Sequence, residues 1–93
     1  MDQIEFERQL RADGYQEIEM QTLAPRPGKG RHRHLFAIRG FVISGAFFVA
    51  QKNDPVTYGP GQIFAVDEGE LHDEWIGPEG AVVLVGRKFR AKQ

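Results

Sequence analysis

No cysteine occurs anywhere in the 93 residues. That excludes a disulfide framework and thiolate metal ligands, and it leads to the expectation of a reducing, cytoplasmic setting. Charge of one sign is also missing: 12 basic residues stand against 13 acidic ones, for a net charge of −1. A nucleic-acid partner, which wants a basic excess, is therefore not expected. No apolar run approaches the ~18–20 residues of a membrane span. The start, Met1-Asp2-Gln3-Ile4-Glu5, has neither the basic opening nor the apolar stretch of a secretory signal. There is no internal repeat, linker or low-complexity segment, and 93 residues suit one domain, residues 1–93.

What is present is patterned for strands. A short helix over residues 3 to 12 is predicted by Asp2 and Glu5 at capping-box spacing, by Phe6 and Leu10 four apart, and by Gly14 as a stop. It forms, within residues 1–14, an extension lying on the outside of a sheet. From Glu17 to Gln21 polar and apolar residues alternate, as in a half-buried strand. The stretch from Ala24 to Gly30 holds two prolines and two glycines and reads as a loop.

That loop feeds Arg31-His32-Arg33-His34, which carries two of the three histidines. In a strand, residues i and i+2 share a face. His32 and His34 then point inward with Phe36 and Ile38, while Arg31 and Arg33 point out. The third histidine, His72, shares parity with Glu74 and opposes Asp73 and Trp75.

Beyond Ile38, Phe41 to Ala50 is β-prone, and Gly45 suggests a turn dividing it into two strands. Turns at 52–55, 59–61 and 67–69 separate strands near 56–58, 62–66 and 70–76. Gly77-Pro78-Glu79-Gly80 is predicted to turn the chain into a last strand, 81–85. Many short strands at this spacing read as an all-β barrel or sandwich.

These residues resemble the cupin family, small jelly-roll β-barrels with two metal-bearing motifs. The first motif is His-x-His, a Glu four residues on and a Gly seven further; His32, His34 and Gly45 match it, with Ile38 at the Glu position. In the second, Gly61, Gly69 and His72 match, while Asp67 stands for a Pro and Ile76 for an Asn. The Gly-Pro-Glu-Gly stretch and Val-rich end further resemble very short, single-domain cupins. The resemblance implies a jelly-roll barrel and a bound metal, and it spans enzymes, binding proteins and storage proteins, since fold does not fix chemistry.

Three imidazoles suit a divalent transition metal, and nitrogen and oxygen donors without sulfur suit Fe, Mn, Ni, Co, Cu or Zn. With Ile38 at the usual carboxylate position, Glu74 is the expected substitute, because a buried glutamate wants a cation. Phe36, Ile38, Tyr58, Phe64 and Ile76 are the expected lining of a narrow, largely apolar pocket with few polar handles, fit for a small-molecule ligand that is itself partly apolar. Arg26, Lys29, Arg31 and Arg33, with Arg87, Lys88, Arg90 and Lys92, read as a solvated face. One of Phe47 and Phe48 must face out, as must Trp75, and exposed aromatics of this kind point to a homodimer. The expected function is a metal-dependent enzyme of oxygenase or isomerase type; the alternative is a module that binds a metal or small ligand without turnover. A metal-free structural barrel would leave three inward histidines without a role. No helix-turn-helix pattern supports a DNA-binding regulator.

Overall fold

In a computed structural model that describes residues 1–90, one helix precedes five strands. Helix α1 runs Gln3–Ala12; the Asp2 carboxylate accepts the Glu5 N–H at 2.8 Å, and Asp13 and Gly14 close the helix through the Gln9 and Arg11 carbonyls. The strands are β1 (Gln16–Leu23), β2 (Phe36–Ala50), β3 (Val56–Tyr58), β4 (Ile63–Val66) and β5 (Asp73–Phe89). Lys92 lies outside the described residues, as does the last part of the 1–93 span.

Two long antiparallel strands, β2 and β5, form the spine, paired from Phe36↔Phe89 to Ala50↔Asp73. On the free edge of β2, β4 covers Ile38–Phe41 and β3 covers Phe47–Val49. On the free edge of β5, β1 covers Ala81–Arg87, and isolated bridges from Arg26 and His32 cover Ile76 and His72. Each long strand thus contributes to both walls of an open jelly roll.

The turns expected at Gly45 and at Gly77–Gly80 are not turns. The backbone bends at both places without ending the strand, so residues 41–50 and 73–89 each lie within one strand. Irregular pairing explains why: Ile43 is an extra residue against the Val82–Val83 step, and Ala46 alone spans what the four residues 77–80 span opposite. Gly45 and Gly80 both have positive φ, +79° and +75°, which side-chain-bearing residues rarely adopt. A Cβ on Gly45 would also run into the Gly80 carbonyl.

Each bend reverses the facing pattern, because side-chain direction has a period of two. In β2 the interior takes Val42 before the bend but Phe47 and Val49 after it. In β5 it takes Ile76 before but Ala81 and Val83 after. The interior cluster is completed by Phe64 and Val66. A second cluster lies on the outer side, where Phe6 and Leu10 of α1 bury against Phe41 and Leu84. Asp13 anchors that end of the helix to Arg39 at 2.6 Å, and the Arg39 guanidinium lies 4.6 Å over the Tyr15 ring. The hydrogen bond to Asp13 raises the Arg39 pKa above its ordinary value. Phe48, facing away from the interior, stacks on Trp75 with centroids 5.4 Å apart.

Candidate metal centre

The histidine-bearing segment is not a regular strand. Between β1 and β2, residues 24–35 form β-bridges only at two isolated places. His32 nevertheless pairs fully with His72, each N–H donating to the other's carbonyl at 2.8 and 2.9 Å. Directly opposed residues of an antiparallel pair share a face. The Gly69 N–H donates to the His34 carbonyl at 2.9 Å, which holds the next inward position. Arg31, Arg33 and Leu35 are exposed, so extended alternation persists without a continuous ladder.

The three imidazoles therefore meet. Ring centroids are 4.4 Å apart for His32 and His72, 5.0 Å for His32 and His34, and 5.1 Å for His34 and His72. One nitrogen from each ring falls within 4.8 Å of one from each of the others. His72 is fully buried. The Nδ1 of His32 lies 2.8 Å from the Gly30 carbonyl, and that of His72 lies 3.0 Å from the Glu70 carbonyl. A carbonyl only accepts, so both Nδ1 atoms carry hydrogen and each neutral ring keeps its lone pair on Nε2. Those two Nε2 atoms are buried and have no hydrogen-bond partner. Buried polar atoms are seldom left so, and a ring held by a backbone carbonyl with its other nitrogen free is the arrangement that metal-binding histidines adopt. The residues present fit a divalent ion.

His34, half-buried, stacks on Phe36 with centroids 4.8 Å apart. Burial, followed by the nearby His72 and His32 rings, lowers its pKa from the ordinary 6.5 and favours the neutral form that a metal requires.

Glu74 stands beside the trio, its Oε2 at 3.8 Å from the His72 Nε2. Its other oxygen faces Arg26 at 3.4 Å and Lys29 at 3.8 Å, and the Arg26 guanidinium also donates to the Glu74 carbonyl at 3.0 Å. The cations that face it in the structure are thus side chains of the preceding loop.

Asp73, expected only to point away, has a structural task. Its Oδ1 accepts the N–H of Lys29 at 3.0 Å and of Glu74 at 2.8 Å, which ties the glycine-rich loop to the start of β5. Desolvation pushes its pKa up, but the backbone N–H groups of Glu74, Lys29 and Gly30 outweigh it and hold the carboxyl below its ordinary 3.8. A carboxylate that clasps a loop 44 positions earlier in the chain leaves no local sequence pattern, so only the fold brings it out.

The adjoining cavity, about 320 Å³, is lined by His34, Phe36, Ile38, Phe47 and Phe64 on its apolar side. Phe64 stacks on Phe47, and Gly40 leaves room for its ring, which a Cβ would strike. Two residues expected here sit elsewhere: Ile76 is buried in the interior cluster, and Tyr58 packs against Phe64 without lining the cavity. The cavity is also less apolar than expected. Arg26, Lys29 and Arg87, assigned from sequence to a solvated face, line it together with Glu74 and Gln21. Arg87 faces inward because the bend at residues 77–80 sets odd positions inward beyond it. The run Ala81-Val82-Val83-Leu84-Val85 hides that parity, being apolar at every position.

Comparison with solved structures places this architecture. A protein of unknown function from Rhizobium leguminosarum superposes with a TM-score of 0.70 at 23% identity, over 78% of this chain and 69% of that one. A cupin-2 domain protein from Shewanella frigidimarina gives 0.64 at 16% identity, over 84% and 72%. The chain has the cupin fold. A protein described as a predicted oxalate decarboxylase, from Thermotoga maritima, gives 0.65 at 16% identity over 89% and 74%, and shares the fold at the same distance. No protein-family model matches the chain, and no curated protein matches it by sequence. Among the described residues no helix is long and apolar enough to cross a membrane.

Proposed function

We propose that the protein, taken as one domain of residues 1–93, is a metal-binding small cupin. In this reading His32, His34 and His72 hold one divalent ion, of Fe, Mn, Ni, Co, Cu or Zn, with Glu74 as a fourth donor or as the carboxylate that orients the site. The observation that carries it is the pair of buried, unpartnered Nε2 atoms on His32 and His72, each on a ring already fixed through Nδ1. Bound there, an ion supplies Lewis acidity or activation of dioxygen. The chain's own part is to hold the rings in place with the Nε2 atoms of His32 and His72 free, to exclude water with Phe36, Ile38 and Phe64, and to seat a small, partly apolar molecule beside the ion. On that basis we assign metal-dependent chemistry of oxygenase or isomerase type.

A second reading, uptake of a ligand without turnover, draws on Glu74. The one carboxylate in the cavity lining turns one oxygen to two cations and the other to the His72 Nε2, which leaves no free oxygen placed to take a proton from a ligand. A cytoplasmic location, supported by the lack of cysteine, and a homodimer joined across Phe48 and Trp75 belong to the same proposal. Sedimentation of the purified protein tests the dimer.

Metal analysis of protein made without an affinity tag tests the main reading. About one ion per chain is expected, and less than about 0.2 would sink it. In the same assay Glu74→Gln is expected to hold the ion ~10–100-fold more weakly. Unchanged retention removes Glu74 from the site.

A further inference from the structure

We infer that the ligand of the barrel cavity is a small organic acid, and that Arg87 anchors its carboxylate while its apolar body lies on Phe36, Ile38 and Phe64. The inference deepens the reading of this cavity as the ligand site and rests on it. The lining carries three cations, Arg26, Lys29 and Arg87, against one carboxylate, Glu74, a formal charge of 3 − 1 = +2. Glu74 is committed to Arg26, which is further tied to the carbonyls of Pro27 and Glu74.

Arg87 is held differently. Its side chain is only 25% exposed, yet its nearest carboxylates are those of Glu19 at 3.5 Å and Glu17 at 3.7 Å, both on the exposed rim. A well-formed charge-assisted pair closes to about 2.7–2.9 Å. Among the described residues no side-chain hydrogen bond from Arg87 is formed. A guanidinium with open donors at the tip of a three-quarters-buried side chain is an incomplete site, and its planar fork matches a carboxylate with two parallel bonds.

Its neighbours supply the rest of the ligand's surroundings. The guanidinium carbon lies 5.7 Å from the Phe36 centroid, and Ile38 is its cross-strand partner on β2. The His34 ring stacks on Phe36, which also meets Phe89 at the end of the strand. The wall therefore runs from cation through aromatic ring to the histidine trio. A molecule anchored by an anionic end at Arg87 extends over Phe36 toward His34. A volume near 320 Å³ is at the small end of ligand sites and fits a compact acid rather than a nucleotide or oligosaccharide.

Calorimetric titration with benzoate and with its neutral isostere benzamide tests this on the whole chain, once stripped with a chelator and once reloaded with zinc. The metal-free protein is expected to bind benzoate about 10-fold or more tighter than benzamide. Arg87→Gln is expected to erase that preference and to leave zinc stoichiometry unchanged. Equal binding of the two compounds by the metal-free protein overturns the inference, as does a preference that survives in Arg87→Gln. If Arg87→Gln does not fold, the Nε–Hε resonance of Arg87 in the native protein decides. Movement with benzoate and not with benzamide supports the anchor; an unmoved resonance overturns it. A protein that prefers benzoate but takes up no zinc loses the metal reading alone. One that binds zinc but shows no preference without it loses the carboxylate anchor alone.

Discussion

His72 and the pair His32 and His34 reach the same point from unlike supports. His72 is fully buried and immediately precedes β5, a 17-residue strand whose pairing with β2 runs from Asp73 to Phe89 through two irregular places. The pair rides on residues 24–35, which the sheet holds by two isolated bridges and which Asp73 clasps from the side. Backbone secured by a continuous ladder opens only with the fold, whereas backbone secured by a few bonds opens locally. One donor thus sits at the end of a long strand and two sit on a loosely tied loop, so uptake of an ion is expected to move the loop before it moves the sheet.

The sharpest way to break this contrast is to remove donors one at a time. His72→Ala is expected to abolish metal retention, a loss of ~100-fold or more, while His34→Ala is expected to cost about 10-fold, since the remaining loop can readjust. Titration with a competing chelator measures both, and equal losses would end the distinction.

Next in size is the clasp. Asp73→Ala is expected to weaken metal binding about 10-fold by freeing the loop, with the overall fold kept. In imidazole NMR spectra of the metal-free protein, His32 and His34 should move and His72 should not. A shift of His72 as large as the others would show that Asp73 supports β5 rather than the loop.

The smallest effect is one of pH. The lowered pKa of His34 means that the folded metal-free protein binds fewer protons than the unfolded chain just below the ordinary value of 6.5. Stability then rises with pH across that window. The contribution is complete above 6.5 and fades as the pH falls through the folded value. Thermal melts of the metal-free protein should shift downward from neutral pH to about pH 5, and the ion should be shed over the same range. A melting temperature that rises on acidification would contradict the assignment of His34 as a half-buried ring with a lowered pKa.

How much of this was legible in the chain depends on where parity can be counted. Between Arg31 and Ile38 alternation survives outside a regular strand, so His32 and His34 were placed on one side by sequence alone. The intervals among Gly45, Gly61, Gly69 and His72 carried the resemblance to cupins, and the solved structures bear out the fold. Helix α1 was written in Asp2, Glu5 and Gly14. What escaped were features set by extra residues. A glycine in a β-prone run reads equally as a turn or a bulge, so β2 and β5 were each divided in two. Past the bulges parity cannot be carried forward, and nothing in the sequence turns Arg87 inward. Asp73 and the Arg26–Glu74 pair depend on a contact between residues more than 40 positions apart, which no local pattern encodes.

The two bends at Gly45 and Gly80 face each other across the ladder, and the number of residues in them works as a gear ratio for everything downstream. Deleting one residue from the stretch 77–80 would leave His72 and Glu74 untouched. It would also swing Val82, Leu84 and Lys88 into the barrel and turn Val83, Val85 and Arg87 out. The chemistry of the chamber beyond the histidines is thus written in a spacing as much as in the residues themselves.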